Sequence, residues 1–381
     1  MSFTPGPEAE ELRAVVRGFL EKRCGESDVR RWMETDEGHD PTVWRQLAQE
    51  LGLQGLAIDE RWGGSGASTV ELGVVFEEMG RALYGGPFLG TVALASTVLA
   101  ELGDEAAQER HLPGIADGST AATLVWGGSD PLASTLRAAG EGSEWRLSGR
   151  AEPVVDAGVA DLLLVVAGTP AGLGVFAVDA TGDTGGDTAG ADGLTRTPLV
   201  PLDLTRKLAA VEFAETPAVP VGTPGEITDA LTRALDIATV LLACEQVGGT
   251  ARILEMAVEY ANTRVQFGRK IGSFQAVKHR CADMLVESEL ARSTAYYGIW
   301  AAAHDPDDLP VAAGLAGATC SEAYTRCALE NIQVHGGIGF TWEHPAHLYL
   351  KRARTSQRFL GTPGRHRKRI ADLIDIPEVS A

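Results

Sequence analysis

Residues 264–275 read Arg-Val-Gln-Phe-Gly-Arg-Lys-Ile-Gly-Ser-Phe-Gln, a polar stretch with glycines at Gly268 and Gly272. It joins two of the longest helical patterns in the chain. Upstream, Thr223-Pro224-Gly225-Glu226 has the composition of a capping box, with a hydroxyl at N-cap, proline at N1 and a carboxylate at N3. From there to Asn262 no proline interrupts a run rich in Ala, Leu, Val and Ile, which predicts one helix of roughly 35 residues. Downstream, Phe274 to about Ala303 reads as a second helix that closes at Asp305-Pro306. Two long helices joined by a tight loop make a helical hairpin. Arg264 in that loop suits it to hold an anion; the plainer reading has Arg264 capping the carbonyls of the preceding helix.

The chain has 381 residues, 44% hydrophobic and 22% charged, which is enough for two or three packed units. A net charge of −19 excludes non-specific nucleic-acid binding, which needs a basic surface, but leaves room for a small anion that senses only local charge. Lys351, Arg352, Arg354, Arg358, Arg365, Arg367, Lys368 and Arg369 follow one another with no acid between them. They form either a solvated face or a basic mouth beside a phosphate-bearing ligand. Cys24, Cys244, Cys281, Cys320 and Cys327 lack metal-ligand spacing and read as reduced core thiols of a cytoplasmic protein. The start, Met1-Ser2-Phe3-Thr4-Pro5, has no charged and apolar leader pattern, and no run of 18 apolar residues predicts a membrane span.

Helical periodicity covers Glu8–Cys24, Thr42–Leu51, Ser68–Leu83, Thr91–Leu102 and Glu105–Ala116. Trp62-Gly63-Gly64 lies in a glycine-rich connection without the lysine of a phosphate loop, so it is a loop. Near Ser119 the pattern changes to short apolar runs broken by Gly, Asp, Thr and Pro: Ala121–Val125, Trp145–Leu147, Leu162–Val166, Val175–Val178 and Ala209–Phe213. These predict a middle antiparallel β domain, with a polar glycine-rich loop over Thr181–Gly193. Helices return after Pro224, and a last pair, about Pro310–Val334 and Glu343–Ala353, brackets a His335-Gly336-Gly337 turn. The expected α+β architecture has a helical domain over residues 1–118, a β domain over 119–222 and a four-helix bundle over 223–381.

Arg264-x-Gln266-Phe267-Gly268, with Ile271, Phe274-Gln275, His279 and Ala282-Asp283-Met284, resembles the signature of the acyl-CoA dehydrogenase family. Gln333-Val334-His335-Gly336-Gly337-Ile338-Gly339-Phe340 resembles its second motif at the usual distance. The resemblance implies an FAD flavoprotein of fatty acid or steroid catabolism that desaturates an acyl-CoA thioester. A carboxylate takes the α-proton, donors hold the thioester oxygen, and electrons leave to an electron-transfer flavoprotein. It further implies that Arg264, Phe267, Gln275, Gln333, His335, Gly336 and Gly337 of one subunit reach the pyrophosphate and adenosine of the flavin held by its neighbour. Ser129 would touch the thioester ligand and Thr362 the flavin. No metal, nucleic acid or membrane is implied.

Two departures stand against that pattern. The family's Thr-Glu-Pro stretch before Gly128-Ser129-Asp130 is replaced by Leu124-Val125-Trp126-Gly127. Both usual seats of the catalytic glutamate are apolar as well: Leu360 precedes Gly361-Thr362, and Ala238 occupies the alternative place on the first long helix. Glu245 lies two helical turns beyond Ala238 on roughly the same face, about 10 Å along the axis. It reads as a substitute base or as a paired or interface glutamate. Three functions follow: a subunit of a heteromer, such as a heterotetramer, whose homologous partner supplies the base; a homo-oligomeric flavoenzyme with an atypical base; or a non-catalytic binding protein that keeps the fold.

Overall fold

The computed structural model describes residues 5–142, 144–181 and 192–375. Most of the predicted polar loop over Thr181–Gly193 lies outside the described residues. The chain divides into two compact units. One takes Met1–Asp28, Thr69–Tyr84 and Thr239–Ala381; the other takes Val29–Ser68 and Gly85–Ala238.

In chain order the helices before the sheet are α1 (Pro7–Arg23), α2 (Glu26–Met33), α3 (Pro41–Gln49), α4 (Thr69–Arg81), α5 (Thr97–Leu102) and α6 (Glu105–Ala116). The stretch expected to be one helix from Thr91 starts instead as a π-helical segment, Leu89–Ser96, that runs into α5. Local polar contacts favour the wider turn. The Thr97 hydroxyl donates to Val92 O five residues back, and the Gly90 N–H donates to the Asp156 carboxylate at 3.0 Å. A Cβ at Gly90 would stand 2.9 Å from that carboxylate, so the approach requires glycine.

The sheet comprises β1 (Ala122–Trp126), β2 (Arg137–Glu141), β3 (Glu144–Val155), β4 (Leu162–Thr169), β5 (Gly172–Asp179), β6 (Leu194–Pro198) and β7 (Leu208–Val221). Pairings run β4–β2, β2–β3, β3–β7, β7–β5 and β5–β4, so five strands close on themselves, with β1 beside β4 and β6 beside β7. Leu136, Leu147, Leu163, Val165, Phe176 and Val211 fill the interior at 0% exposure. The expected antiparallel sheet holds except that β1 runs parallel to β4, as does a single β2–β4 pair.

α7 (Thr228–Thr263) is 36 residues long. It does not begin on the predicted capping box. Thr223–Glu226 forms a turn, with the Glu226 N–H donating to Thr223 O, and Gly225 has φ +95. The Gly225 N–H is bound to Leu173 O, and its Cα lies so close to Ala171 that a Cβ would come within 2.6 Å of the Ala171 carbonyl. Contact with the β4–β5 hairpin therefore overrides the local helix-start signal. By length and composition α7 could cross a membrane, but 83% of its most apolar window is buried. That is the signature of a core helix.

β8 (Val265–Gln266) and β9 (Arg269–Lys270) follow α7, and then come α8 (Gln275–His304), α9 (Leu309–His335), α10 (Ala346–Ser356) and α11 (Pro363–Leu373). α11 is a fifth helix beyond the four expected of the bundle. Within the largely helical unit, α4 crosses α7 at two glycines. A Cβ on Gly80 would stand 1.8 Å from Glu245 O, and one on Gly248 would stand 1.7 Å from Glu77 O. Beside this crossing, Arg13 contacts Glu77 at 2.8 Å and Glu78 at 3.1 Å, and Tyr296 donates to Glu77 at 2.8 Å. Burial works against the Arg13 charge, but Glu77, Tyr296 and Glu10 together outweigh it and hold the guanidinium above its ordinary pKa.

Candidate cofactor and substrate site

The loop after α7 is a two-residue β-hairpin. Val265 and Gln266 pair with Lys270 and Arg269 around Phe267 (φ 52) and Gly268 (φ 74). Two positive φ values define the turn that matches strand twist, and its first position ordinarily takes Asn, Asp or Gly. Phenylalanine there costs about 1 kcal/mol of backbone strain, and its ring is 91% exposed, so burial does not compensate. The Ile271 N–H donates to Arg264 O at 2.8 Å and closes the loop. The Arg269 guanidinium lies 4.0 Å over the Phe274 ring. The Arg264 guanidinium is exposed and has no hydrogen bond or ion pair with a described residue, so it does not cap α7. Gln275, the first residue of α8, is exposed as well.

The second motif forms the end of α9. Gln333 is exposed, and the Gly336 N–H (φ 62) closes the helix onto Gln333 O and Ile332 O. A Cβ on Gly336 or Gly337 would meet nothing within 4 Å, so the turn presents an open backbone face. His335 differs from its neighbours: it is 5% exposed and therefore is not a surface contact residue. Its Nδ1 lies 2.8 Å from Asn331 O, and because a carbonyl only accepts, Nδ1 carries the proton. Burial holds the imidazole below the usual histidine range. Its ring stacks on Tyr260 at 4.3 Å and lies 4.2 Å from His344. The Tyr260 contact sets the Arg264 loop beside the Gly336–Gly337 turn. Phe340 and Trp342 stand exposed next to it, with Lys351 Nζ 4.1 Å over the Trp342 ring. Neither Tyr260 nor His344 was singled out from sequence; the available cue was Tyr260 one helical turn before Arg264.

The basic run does not form one face. Arg352 is 1% exposed, Arg367 pairs with Glu322, and Lys351 covers Trp342. Arg352 Nη1 lies 3.1 Å from Glu245 Oε1, and Glu245 is 4% exposed. The candidate substitute base is thus held in a buried ion pair, with one carboxylate oxygen occupied by the guanidinium. Ala238 is 1% exposed on α7 and Leu360 is half-buried before α11. Thr362 caps α11, its hydroxyl oxygen accepting the Arg365 N–H at 3.3 Å.

In the other unit, Gly128 and Ser129 form an exposed turn directly after β1, with Gly128 at φ 85. The Gly127 N–H donates to the Ser134 hydroxyl at 3.0 Å, and the Asp130 carboxylate accepts the Leu132 N–H at 3.0 Å. Asp130 is thereby engaged in shaping the turn, and Ser129 is presented at its surface.

The sequence matches the acyl-CoA dehydrogenase N-terminal domain over residues 6–119 and the C-terminal domain over residues 228–374. Acyl-CoA dehydrogenase IpdE2 of Mycobacterium tuberculosis is 35% identical over 362 residues, covering 95% of each chain. Acyl-CoA dehydrogenase FadE34 of the same organism is 36% identical over 98% of this chain and 49% of its own length. Among solved structures, the ChsE4-ChsE5 complex of Mycobacterium tuberculosis aligns with a TM-score of 0.89 at 30% identity, covering 100% of both chains. The Tcur3481-Tcur3483 steroid acyl-CoA dehydrogenase variant aligns at 0.88 and 32%, covering 98% of this chain and 99% of that one. The chain belongs to the acyl-CoA dehydrogenase family, whose members are FAD-dependent oxidoreductases acting on CH–CH groups.

The residues fit the dinucleotide end of FAD. A free guanidinium, two exposed amides, an open glycine backbone and a strained, exposed ring supply what a diphosphate and an adenine need. Around the turn after β1 the exposed polar side chains are the hydroxyls of Ser129 and Thr135.

Proposed function

We propose that this chain is one subunit of a heteromeric acyl-CoA dehydrogenase that completes the flavin site on a homologous, glutamate-bearing partner. Arg264 would pair with the pyrophosphate, Phe267 and Gln275 would contact the adenosine side, and Gln333, Gly336 and Gly337 would close over it. Ser129 would meet the thioester ligand and Thr362 the flavin. Bound flavin supplies hydride acceptance from the β-carbon. The partner's carboxylate takes the α-proton, and electrons pass on to an electron-transfer flavoprotein. In this reading residues 1–118, 119–222 and 223–381 act as three domains, and the enzyme works in the cytoplasm on an acyl-CoA of fatty acid or steroid catabolism.

The observation that carries the proposal is a contrast. The Arg264 arm is open and unpartnered, whereas Glu245 is buried against Arg352 and the other two base positions are apolar. The likeness to two assemblies named for paired chains supports it.

Co-expression with a homologous chain that carries the glutamate tests it. The expected result is a weakly coloured, inactive chain alone and a yellow complex active on acyl-CoA. A yellow, active protein from this chain alone would establish the homo-oligomeric enzyme instead, and no flavin under either condition would leave a binding protein. In the complex, Arg264→Ala should weaken FAD binding about 100-fold, since a charge-assisted pair to phosphate contributes about 2–3 kcal/mol. Unchanged flavin occupancy would remove Arg264 from the site.

A further inference from the structure

We propose that His335 is a positioning residue: its ring, stacked on Tyr260 and packed against the tilted ring of His344, fixes the spacing between the Arg264 hairpin and the Gly336–Gly337 turn. The inference rests on the reading that these two segments grip the dinucleotide. Three chain ends meet at this imidazole. Tyr260 belongs to the last turn of α7, and its carbonyl accepts the Arg264 N–H at 2.9 Å, so its ring and the start of the hairpin share one turn of backbone. His335 ends α9, its ring fixed by the Nδ1 bond to Asn331 O. His344 precedes α10, and its Nδ1 accepts the Ala346 N–H at 3.2 Å, which fixes that ring in turn.

The turn itself is shaped on the same residue. Gly339 packs so closely that a Cβ there would stand 2.9 Å from His335 Cβ, which draws residues 336–340 back over the histidine. A ring at 335 therefore orders both gripping segments while touching no ligand. Paired aromatic rings have preferred geometries and contribute about 0.5–1.5 kcal/mol beyond the area they bury, so the contacts of the His335 ring favour one arrangement of the three helix ends. The imidazole adds a donor that ties the stack to α9, and its burial disfavours the charged form.

The test uses the assembled, partner-containing enzyme and FAD as the probe, with flavin dissociation constants, the KM for acyl-CoA and thermal midpoints read in parallel. His335→Ala should weaken FAD at least tenfold while the KM stays within twofold. His335→Phe, which keeps a ring but loses the donor, should recover affinity to within threefold of the parent. Tyr260→Leu should reproduce the loss from the other side of the stack, and it serves if His335→Ala does not assemble. Parental FAD affinity in His335→Ala or Tyr260→Leu, with only a lowered thermal midpoint, would reduce the stack to packing and overturn the proposal. So would equal losses in His335→Phe and His335→Ala. Arg264→Ala is the control: flavin loss there without loss in the stack variants sinks this inference alone, and unchanged flavin there sinks the reading beneath it.

Discussion

Removing one member of the Glu245–Arg352 pair leaves the other charge buried without its ion-pair partner. Both side chains are almost fully buried, and the 3.1 Å contact joins α7 to α10. Glu245→Gln should therefore destabilise the fold by about 3 kcal/mol, read as a lower urea midpoint. Turnover per bound flavin in the assembled enzyme should stay within threefold, because the partner holds the base. A fall of 100-fold or more would place proton abstraction on Glu245 and overturn the heteromer reading. Replacing both residues by methionine should recover most of the stability, since a well-packed apolar pair avoids the desolvation cost that the ions carry. Glu245 also shows the limit of reading a site from sequence. The sequence left it open as a substitute base or a paired glutamate, and only the fold revealed a guanidinium from a helix more than a hundred residues away. Arg264, Phe267 and Gln275 were legible because their motif is contiguous and local.

Among elements, the α4–α7 crossing depends on what glycine lacks. A methyl group at Gly248 would lie 1.7 Å from a backbone carbonyl, which no side-chain adjustment relieves. Gly248→Ala should cost about 3 kcal/mol or more. Gly18, within α1, has open space at the same test, so Gly18→Ala should stabilise the fold by about 0.5–1 kcal/mol through helix propensity alone. Equal unfolding midpoints for the two variants would show that the helices separate to accommodate the methyl. The same contrast explains which elements were legible beforehand. The long helices and the five apolar strands have their period written in adjacent residues. β2 and β6 do not: Arg137–Glu141 and Leu194–Pro198 are largely exposed and become strands by pairing with β3 and β7. The false capping box failed for the same reason, since Gly225 is set by Ala171 and Leu173 across space. The Tyr260–His335–His344 stack likewise joins residues that no local pattern connects.

At the scale of the molecule, His39, His111, His335 and His366 are each held below the usual 6.5, first by burial. Arg110 adds to the effect at His111, and Arg369 and Arg365 add to it at His366, which falls to about 4. An unfolded chain binds protons at these sites before the folded one does. Their contribution to stability is therefore complete above pH 6.5 and is lost as the pH falls towards the folded values. Asp104, lowered by the Gly222 N–H, and Asp179, lowered by the Thr181 hydroxyl, act only beneath the ordinary carboxylate value of 3.8. Between pH 6.5 and about 4 the histidines act against Asp161, whose carboxyl is raised above 3.8 by burial and so favours the folded state as the pH falls. For His366 the 6.5-to-4 difference corresponds to about 3 kcal/mol. Its ring packs on Gly317, where a Cβ would come within 2.7 Å, so the site cannot open to hydrate a charge without disturbing α9 against α11. His366→Gln should lower stability at pH 7 yet flatten the decline between pH 7 and 5, measured as urea midpoints at the two pH values. An unchanged slope would show that His366 charges freely in the folded state.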